Sequence, residues 1–284
     1  MDNLKGIVWM LLAMAAFAVA DALIKYTSRD VPIGQIVLVM GLGGTAVFSC
    51  WALIAGVPLR SKAFFHRAVL IRNLVEMVAT IGVITALSLV PLATTSAILQ
   101  INPLLVTLGA IVFFAERVGW RRWSAIAVGF AGVLLILRPG MGGFDPNALF
   151  ALVGAVGLAG RDLATRAVPR GIPSLQLSVY GFGTLMPVGL ILIAFGPPTV
   201  AWTAQNIAPM MTIVLSSVIG YYAITCAMRI GEIAAVTPFR YSRLLFALVL
   251  GFVFFAEKPD VFVMIGAAMV VVSGLYTLAR QPKP

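Results

Sequence analysis

ATTSAILQINPLLVTLGAIVFFAE, residues 93–116, lies over AAVTPFRYSRLLFALVLGFVFFAE, residues 234–257, at a constant separation of 141 positions. FFAE closes both stretches, Leu104 matches Leu245 and Val112 matches Val253. The same offset continues outward. Asp21, Lys25, Pro32 and Gln35 recur as Asp162, Arg166, Pro173 and Gln176, Ala86 recurs as Ala227, and Ala93 as Ala234. The chain is therefore a duplication of a unit about half its length, read here as 1–141 and 142–284.

Almost everything between the matched positions is apolar. Hydrophobic residues make up 61% of the chain and charged residues 11%, against roughly 25% charged in a soluble domain. The segments 31–59, 77–115, 171–228 and 261–279 carry no charge at all. A helix needs about 20 apolar residues to cross the hydrocarbon core, so the composition predicts an all-α polytopic membrane protein whose first partner is the lipid bilayer. A β-barrel would alternate in segments of about 10 residues, and these segments do not. The net charge of +10 does not point to nucleic acid, because the basic residues sit in short loops between apolar runs. Cys50 and Cys226 fall inside apolar segments without metal-ligand spacing and read as small buried side chains; no metal or cofactor is implied. Lys5, an apolar run and Ala18-Val19-Ala20 imitate a cleavable secretory signal. The recurrence of Asp21 and Lys25 at 162 and 166 makes that segment part of the fold instead.

Turn signals divide the chain into ten spans: about 5–26, 32–55, 68–89, 93–115, 122–138, 147–167, 174–196, 207–229, 233–256 and 260–279. With the N-terminus in the cytoplasm, the inside holds twelve Lys and Arg residues, the outside four (Lys25, Arg29, Arg138, Lys258), and four arginines lie within spans (Arg72, Arg161, Arg240, Arg243), which accounts for all 20. The positive-inside rule therefore predicts both termini in the cytoplasm. Five spans per repeat is an odd number, so the two halves are inverted relative to each other. Inverted repeats are the architecture in which secondary transporters alternate access.

The duplicated five-helix unit, the small-residue stretch ALSLVPLATTSAI at 86–98 and the two FFAE elements resemble the drug/metabolite transporter superfamily, specifically its EamA-type ten-helix members. The resemblance covers nearly the whole chain. TPFRYSRLLFALVLGFVFFAEKPD at 237–260 is most similar to the branch of S-adenosylmethionine and riboflavin uptake proteins. It implies secondary transport of a small organic metabolite across a bacterial inner membrane, through a central cavity lined mainly by spans one, three, four, six, eight and nine.

Charged side chains inside a span are unfavourable by at least about 2.5–3.5 kcal/mol near the bilayer centre and face the bundle interior or water. Arg72 and Glu76 are four apart on the third span and share a face, either as a cavity wall or as a structural ion pair. Arg240, Tyr241 and Arg243 follow Pro238 at the start of the ninth span. Interrupted helices form transporter sites, and guanidiniums hold carboxylates or stack on rings. The bland alternative is an anchor at the outer interface. Their counterparts on the fourth span, Gln100 and Asn102, are polar and neutral. Arg161 has Ala20 as its counterpart and is placed on the cavity. Asp21–Lys25 and Asp162–Arg166 read as (i, i+4) pairs tying the ends of equivalent helices. Asp21, Glu76 and Asp162 are also the carboxylates available for proton coupling. Trp9, Tyr221 and Tyr222 could stack on a flat substrate. Glu116 and Glu257 read as structural caps, Gly129, Gly132 and Gly266 as scaffold or a homodimer face, and His66 as solvated.

The leading expectation is a secondary transporter of a small molecule, with riboflavin uptake first. S-adenosylmethionine uptake and export of amino acids or other metabolites follow. An enzyme is not expected, since the spans hold no HExxH or GxSxG pattern and the single histidine sits in a loop. There is no GxxxxGK[ST] loop for ATP. A channel is disfavoured because the cavity arises from two inverted halves and not from a ring of like groups.

Overall fold

The computed structural model describes residues 2–59, 61–114, 119–139, 144–169, 171–230 and 236–279. Glu116 and the basic residues Arg60, Arg117, Arg170, Arg280 and Lys283 lie outside them. The described residues are helical, with no strand among them. The spans are Asp2–Thr27, Ile33–Ile54, Arg67–Leu89, a fourth in two pieces (Leu92–Leu99 and Asn102–Phe114), Trp120–Leu137, Ala148–Arg166, Ser174–Phe195, Ala204–Ile230, a ninth beginning as the 3-10 turn Thr237–Tyr241 and continuing as Ser242–Phe255, and Val261–Ala279. Eight helices are long and apolar enough to cross a membrane, and Trp123–Leu137 and Val261–Thr277 are shorter apolar helices. The protein is a multi-pass helical membrane protein.

Packing follows the repeat. The first span lies along the eighth and the third along the sixth, which are equivalent pairs under the 141 offset; the second pairs with the seventh, the fifth with the tenth, and the fourth with the ninth. Each half therefore completes its core against the other half. The repeated glutamines show the same reciprocity. Gln35 exchanges two hydrogen bonds with the backbone of Val200, at 2.8 and 2.9 Å, and Gln176 donates to the carbonyl of Pro58 at 2.7 Å. Small residues permit the close approaches on which membrane helices depend. A Cβ on Gly132 would lie 2.7 Å from the Gly266 carbonyl, so these glycines are occupied by the contact between spans five and ten.

The fourth span, expected to be continuous, breaks at Gln100-Ile101. Pro103 has no N–H to return to the Leu99 carbonyl, which removes one rung of the helix. The ninth span opens as a 3-10 turn containing Pro238. The interruptions fall at matching positions of the two halves. Cys50, expected to be buried, is exposed on the second span, and Cys226 is half-buried. Apolar side chains such as Ile54, Phe113 and Phe195 are exposed with it, because lipid is the solvent there and burial no longer follows polarity.

Glu257 ties one end of the bundle together. Ala256 closes the ninth span in the left-handed region at φ 51°, which turns Glu257 toward the start of the fourth span. Its carboxylate accepts the backbone N–H groups of Leu92 and Ala93 at 2.9 and 3.2 Å and faces Lys25 at 3.5 Å; Lys25 also donates to the Val90 carbonyl at 2.7 Å. A carboxylate at a helix N-terminus satisfies orphan donors and complements the dipole. Replacing Glu257 by Ala is expected to remove about 1–2 kcal/mol of stability, read as a lower melting temperature of the purified protein, while Glu257→Asp loses less. At the same end Arg138 pairs with Asp260, which caps the tenth span through the Val263 N–H. The Arg138 hydrogen bond holds the Asp260 carboxyl below the usual carboxylate range.

Candidate functional site: a charged cavity between the two halves

A cavity of about 230 Å³ lies between the halves. Its polar wall comes from Asp21 on the first span, Arg72 and Glu76 on the third, Gln100 and Asn102 at the break of the fourth, and Arg161 on the sixth. Tyr221 on the eighth and Arg240, Tyr241 and Arg243 on the ninth complete it. The second and seventh spans also contribute, through Met40, Phe182 and Leu185. These, with Phe17, escaped sequence reasoning because an apolar side chain in an apolar helix carries no mark of which way it faces.

The charges form two groups. Asp21 is 4% exposed and is held by Arg243 through hydrogen bonds of 2.9 Å from Nε and 2.9 and 2.6 Å from Nη2. The guanidinium also lies over the Phe17 ring at 5.3 Å. The second group is a chain. Arg72 faces Glu76 at 3.7 Å, Glu76 faces Arg161 at 3.2 Å, Arg161 pairs with Asp162 at 2.9 Å, and Arg240 stands 3.8 Å from Asp162. Asn102 donates to Asp162 at 3.1 Å. Arg72 is 2% exposed and is fixed by Asn73 Oδ1 at 3.1 Å and the Tyr221 hydroxyl at 3.3 Å. Gln100 Nε2 donates to the carbonyls of Tyr241 at 3.0 Å and Arg240 at 3.5 Å, joining the two interrupted spans.

These contacts redraw the expected pairs. Spacing alone pairs Asp21 and Asp162 with the cation one turn along their own helices. Both point inward instead, Asp21 to Arg243 on the ninth span and Asp162 to Arg161, Arg240 and Asn102, while Lys25 turns to Glu257. A buried carboxylate needs a desolvated partner, and only the bundle interior supplies one. Trp9 and Tyr222, expected on the cavity wall, pack elsewhere. Tyr222 is 38% exposed and meets Trp9 and Trp51 edge-on at 5.8 and 4.7 Å. Consecutive helical residues point about 100° apart, so Tyr221 in the cavity places Tyr222 outside it. His66 accepts the Ala68 N–H at 3.3 Å, capping the third span.

With every group ionised, four arginines face three carboxylates, an excess of one positive charge. The wall can therefore hold an electron-rich or anionic group, and its rings can stack on a flat one.

The EamA-like transporter family profile matches residues 4–138 and again 146–279. The chain belongs to the EamA-like transporter family. It is accordingly a transporter of the drug/metabolite superfamily and not an enzyme. The riboflavin transporter of Rhizobium johnstonii is 26% identical over 283 residues, 97% of this chain and 91% of the relative. The pseudopaline exporter of Pseudomonas aeruginosa is 26% identical over 287 residues, 100% and 99% of the two chains. An S-adenosylmethionine uptake transporter of Rickettsia bellii is 21% identical over 280 residues, 98% and 94%. A crystal structure of another protein shares the fold at a TM-score of 0.65 and 20% identity, covering 98% of this chain and 96% of that one.

Proposed function

We propose that this EamA-like transporter takes up riboflavin by alternating access across the bacterial inner membrane, with both termini in the cytoplasm. The observation that carries the reading is the cavity itself: a small space between inverted halves, with four rings (Phe17, Phe182, Tyr221, Tyr241) in its wall and a surrounding charge network that, with Asp162 behind the wall, carries one excess positive charge. Its volume of about 230 Å³ falls just below the roughly 300–1,000 Å³ of drug-sized sites, which suits one compact metabolite. A neutral, flat ring edged with carbonyl oxygens meets both the arginines, as hydrogen-bond donors, and the aromatics, as stacking surfaces. A cationic sulfonium meets a wall of its own sign, which counts against S-adenosylmethionine. The excess charge also favours a second reading, export of a carboxylate-bearing metabolite. Asp21, Glu76 and Asp162 are the groups through which a proton gradient would couple.

The test is uptake of radiolabelled riboflavin into cells unable to make it. Uptake is expected to depend on the protein and to fall at least about tenfold in Glu76→Gln and in Arg240→Ala, since each removes a charged contact in a desolvated site. No uptake with the protein present in the membrane would overturn the riboflavin reading and leave export as the next experiment.

A further inference from the structure

A second recess lies outside the cavity, where the second span passes into the third. PLRSKAFFHR, residues 58–67, carries Arg60, Lys62, His66 and Arg67 and no acidic residue. Its counterpart at the repeat offset, TVAWTAQNIA at 199–208, carries no charge. Equivalent glutamines hold the two loops: Gln176 donates to the Pro58 carbonyl at 2.7 Å and Gln35 to the Val200 carbonyl at 2.8 Å. Since both loops are tied down in the same way, the fold itself does not call for the cations and phenyl rings of the first. That loop forms an open groove of about 540 Å³ lined by Leu59, Ser61, Lys62, Phe64, Phe65 and Tyr180. Its walls are pinned. The Tyr180 hydroxyl donates to the Leu59 carbonyl at 3.3 Å, the Phe64 ring meets Tyr180 edge-on at 5.1 Å, and Ser61 Oγ accepts the Ala63 N–H at 3.1 Å. Phe65 nevertheless stands 74% exposed, as do Lys62 and Arg67 in lesser-known measure of polarity: both are exposed cations, and neither pairs with a carboxylate among the described residues.

We propose that this groove binds an anionic phospholipid, with the phosphate on Lys62 and the upper acyl chain against Phe64 and Phe65. A loop that joins two apolar spans emerges at headgroup depth, where apolar rings reach the acyl boundary and cations meet phosphate. An ammonium gives phosphate oxygens short, charge-assisted hydrogen bonds, and basic pockets at the ends of membrane helices hold anionic headgroups. Two features select the occupant. A zwitterionic headgroup brings its own cation to a loop that already carries only positive charge, and like charges repel. Free phosphate satisfies Lys62 but leaves both phenyl rings uncovered, so the rings commit the site to a lipid. The groove shares no lining residue with the transport cavity, and the inference is therefore independent of the cargo.

The experiment offers the purified full-length protein equal amounts of phosphatidylglycerol and phosphatidylcholine and counts the retained lipids by native mass spectrometry. The wild-type protein is expected to retain phosphatidylglycerol at least about fivefold more than phosphatidylcholine, the preference one cation confers at an anionic surface. Lys62→Gln should bring that ratio close to one. Lys258→Gln, which removes an exposed lysine that the groove does not use, should leave it unchanged. Phe65→Ser should weaken retention of both lipids alike, since it removes an apolar contact and no charge. Equal retention of the two lipids by the wild-type protein overturns the proposal, and this comparison needs no variant that could misfold. A preference that survives Lys62→Gln places the lipid elsewhere and overturns it as well. Inorganic phosphate that displaces phosphatidylglycerol as well as the lipid itself does would make the groove a site for the free anion, which also overturns it.

Discussion

Arg243→Ala is expected to destabilise the protein by about 3–5 kcal/mol, the usual consequence of removing one partner from a buried ion pair. Asp21 is 4% exposed, and all of its described hydrogen bonds come from this one guanidinium. Without it the carboxylate stays in a low-dielectric interior with no donor, or it takes up a proton and loses the pair. Folded proteins are stable by only about 5–15 kcal/mol, so the variant should melt far below the wild type and accumulate poorly in the membrane. Arg243→Lys is expected to recover little, since an ammonium cannot reproduce the forked contact with both carboxylate oxygens of Asp21. The informative variant is the double one. Asp21→Ala with Arg243→Ala removes both charges and should be more stable than Arg243→Ala alone. A double variant no better than the single would show that the buried carboxylate is not the source of the loss. Melting temperatures in detergent decide between these results.

Gly266→Leu should separate spans five and ten. A Cβ at Gly266 would stand 2.5 Å from the Gly132 carbonyl and 2.6 Å from Cγ1 of Ile136. The carbonyl belongs to backbone and cannot rotate aside, so the two helices must move apart as rigid bodies. Overpacking of this kind costs about 1–3 kcal/mol and occasionally more, and here the separation also gives up the van der Waals contact that holds membrane helices together. Gly266→Ala already meets the clash and should lose part of that stability. Gly171→Ala is the control, because a Cβ there meets nothing within 4 Å. Equal melting temperatures for the Gly266 and Gly171 variants would refute the packing account.

The duplication was legible because it is a property of spacing, and spacing survives in the sequence. Arg72, Arg161, Arg240 and Arg243 were legible as candidates because a charge within an apolar span is conspicuous, whereas the pairing of the spans was not read from the sequence. The partners of the carboxylates were not legible. Asp21 and Arg243 are 222 positions apart, and a reading of neighbours along one helix offers only Lys25. Tyr221 and Tyr222 show a second limit. In a soluble helix polarity distinguishes the inner face from the outer, whereas here both faces are apolar and adjacent tyrosines look alike. The break in the fourth span had its signal in Pro103, whose effect became clear beside the interrupted ninth span.

Gln100 and Tyr241 are 141 positions apart, the repeat offset itself, and they touch. A contact between a residue and its own counterpart lies on the pseudo-twofold axis, so exchanging the conformations of the two halves returns it to itself. Asp21–Arg243 and Asp162–Asn102 are each other's images and return as a pair. Were the halves to exchange conformations, as the proposed cycle requires, these joints would be made on both sides, as a fulcrum stays put while both arms swing. Lys25–Glu257 lies off that axis, joining the first span to the ninth at one end of the bundle. In the proposed cycle the crossing of the fourth and ninth spans would then be the pivot, and the widest movement would fall at the ends of the bundle.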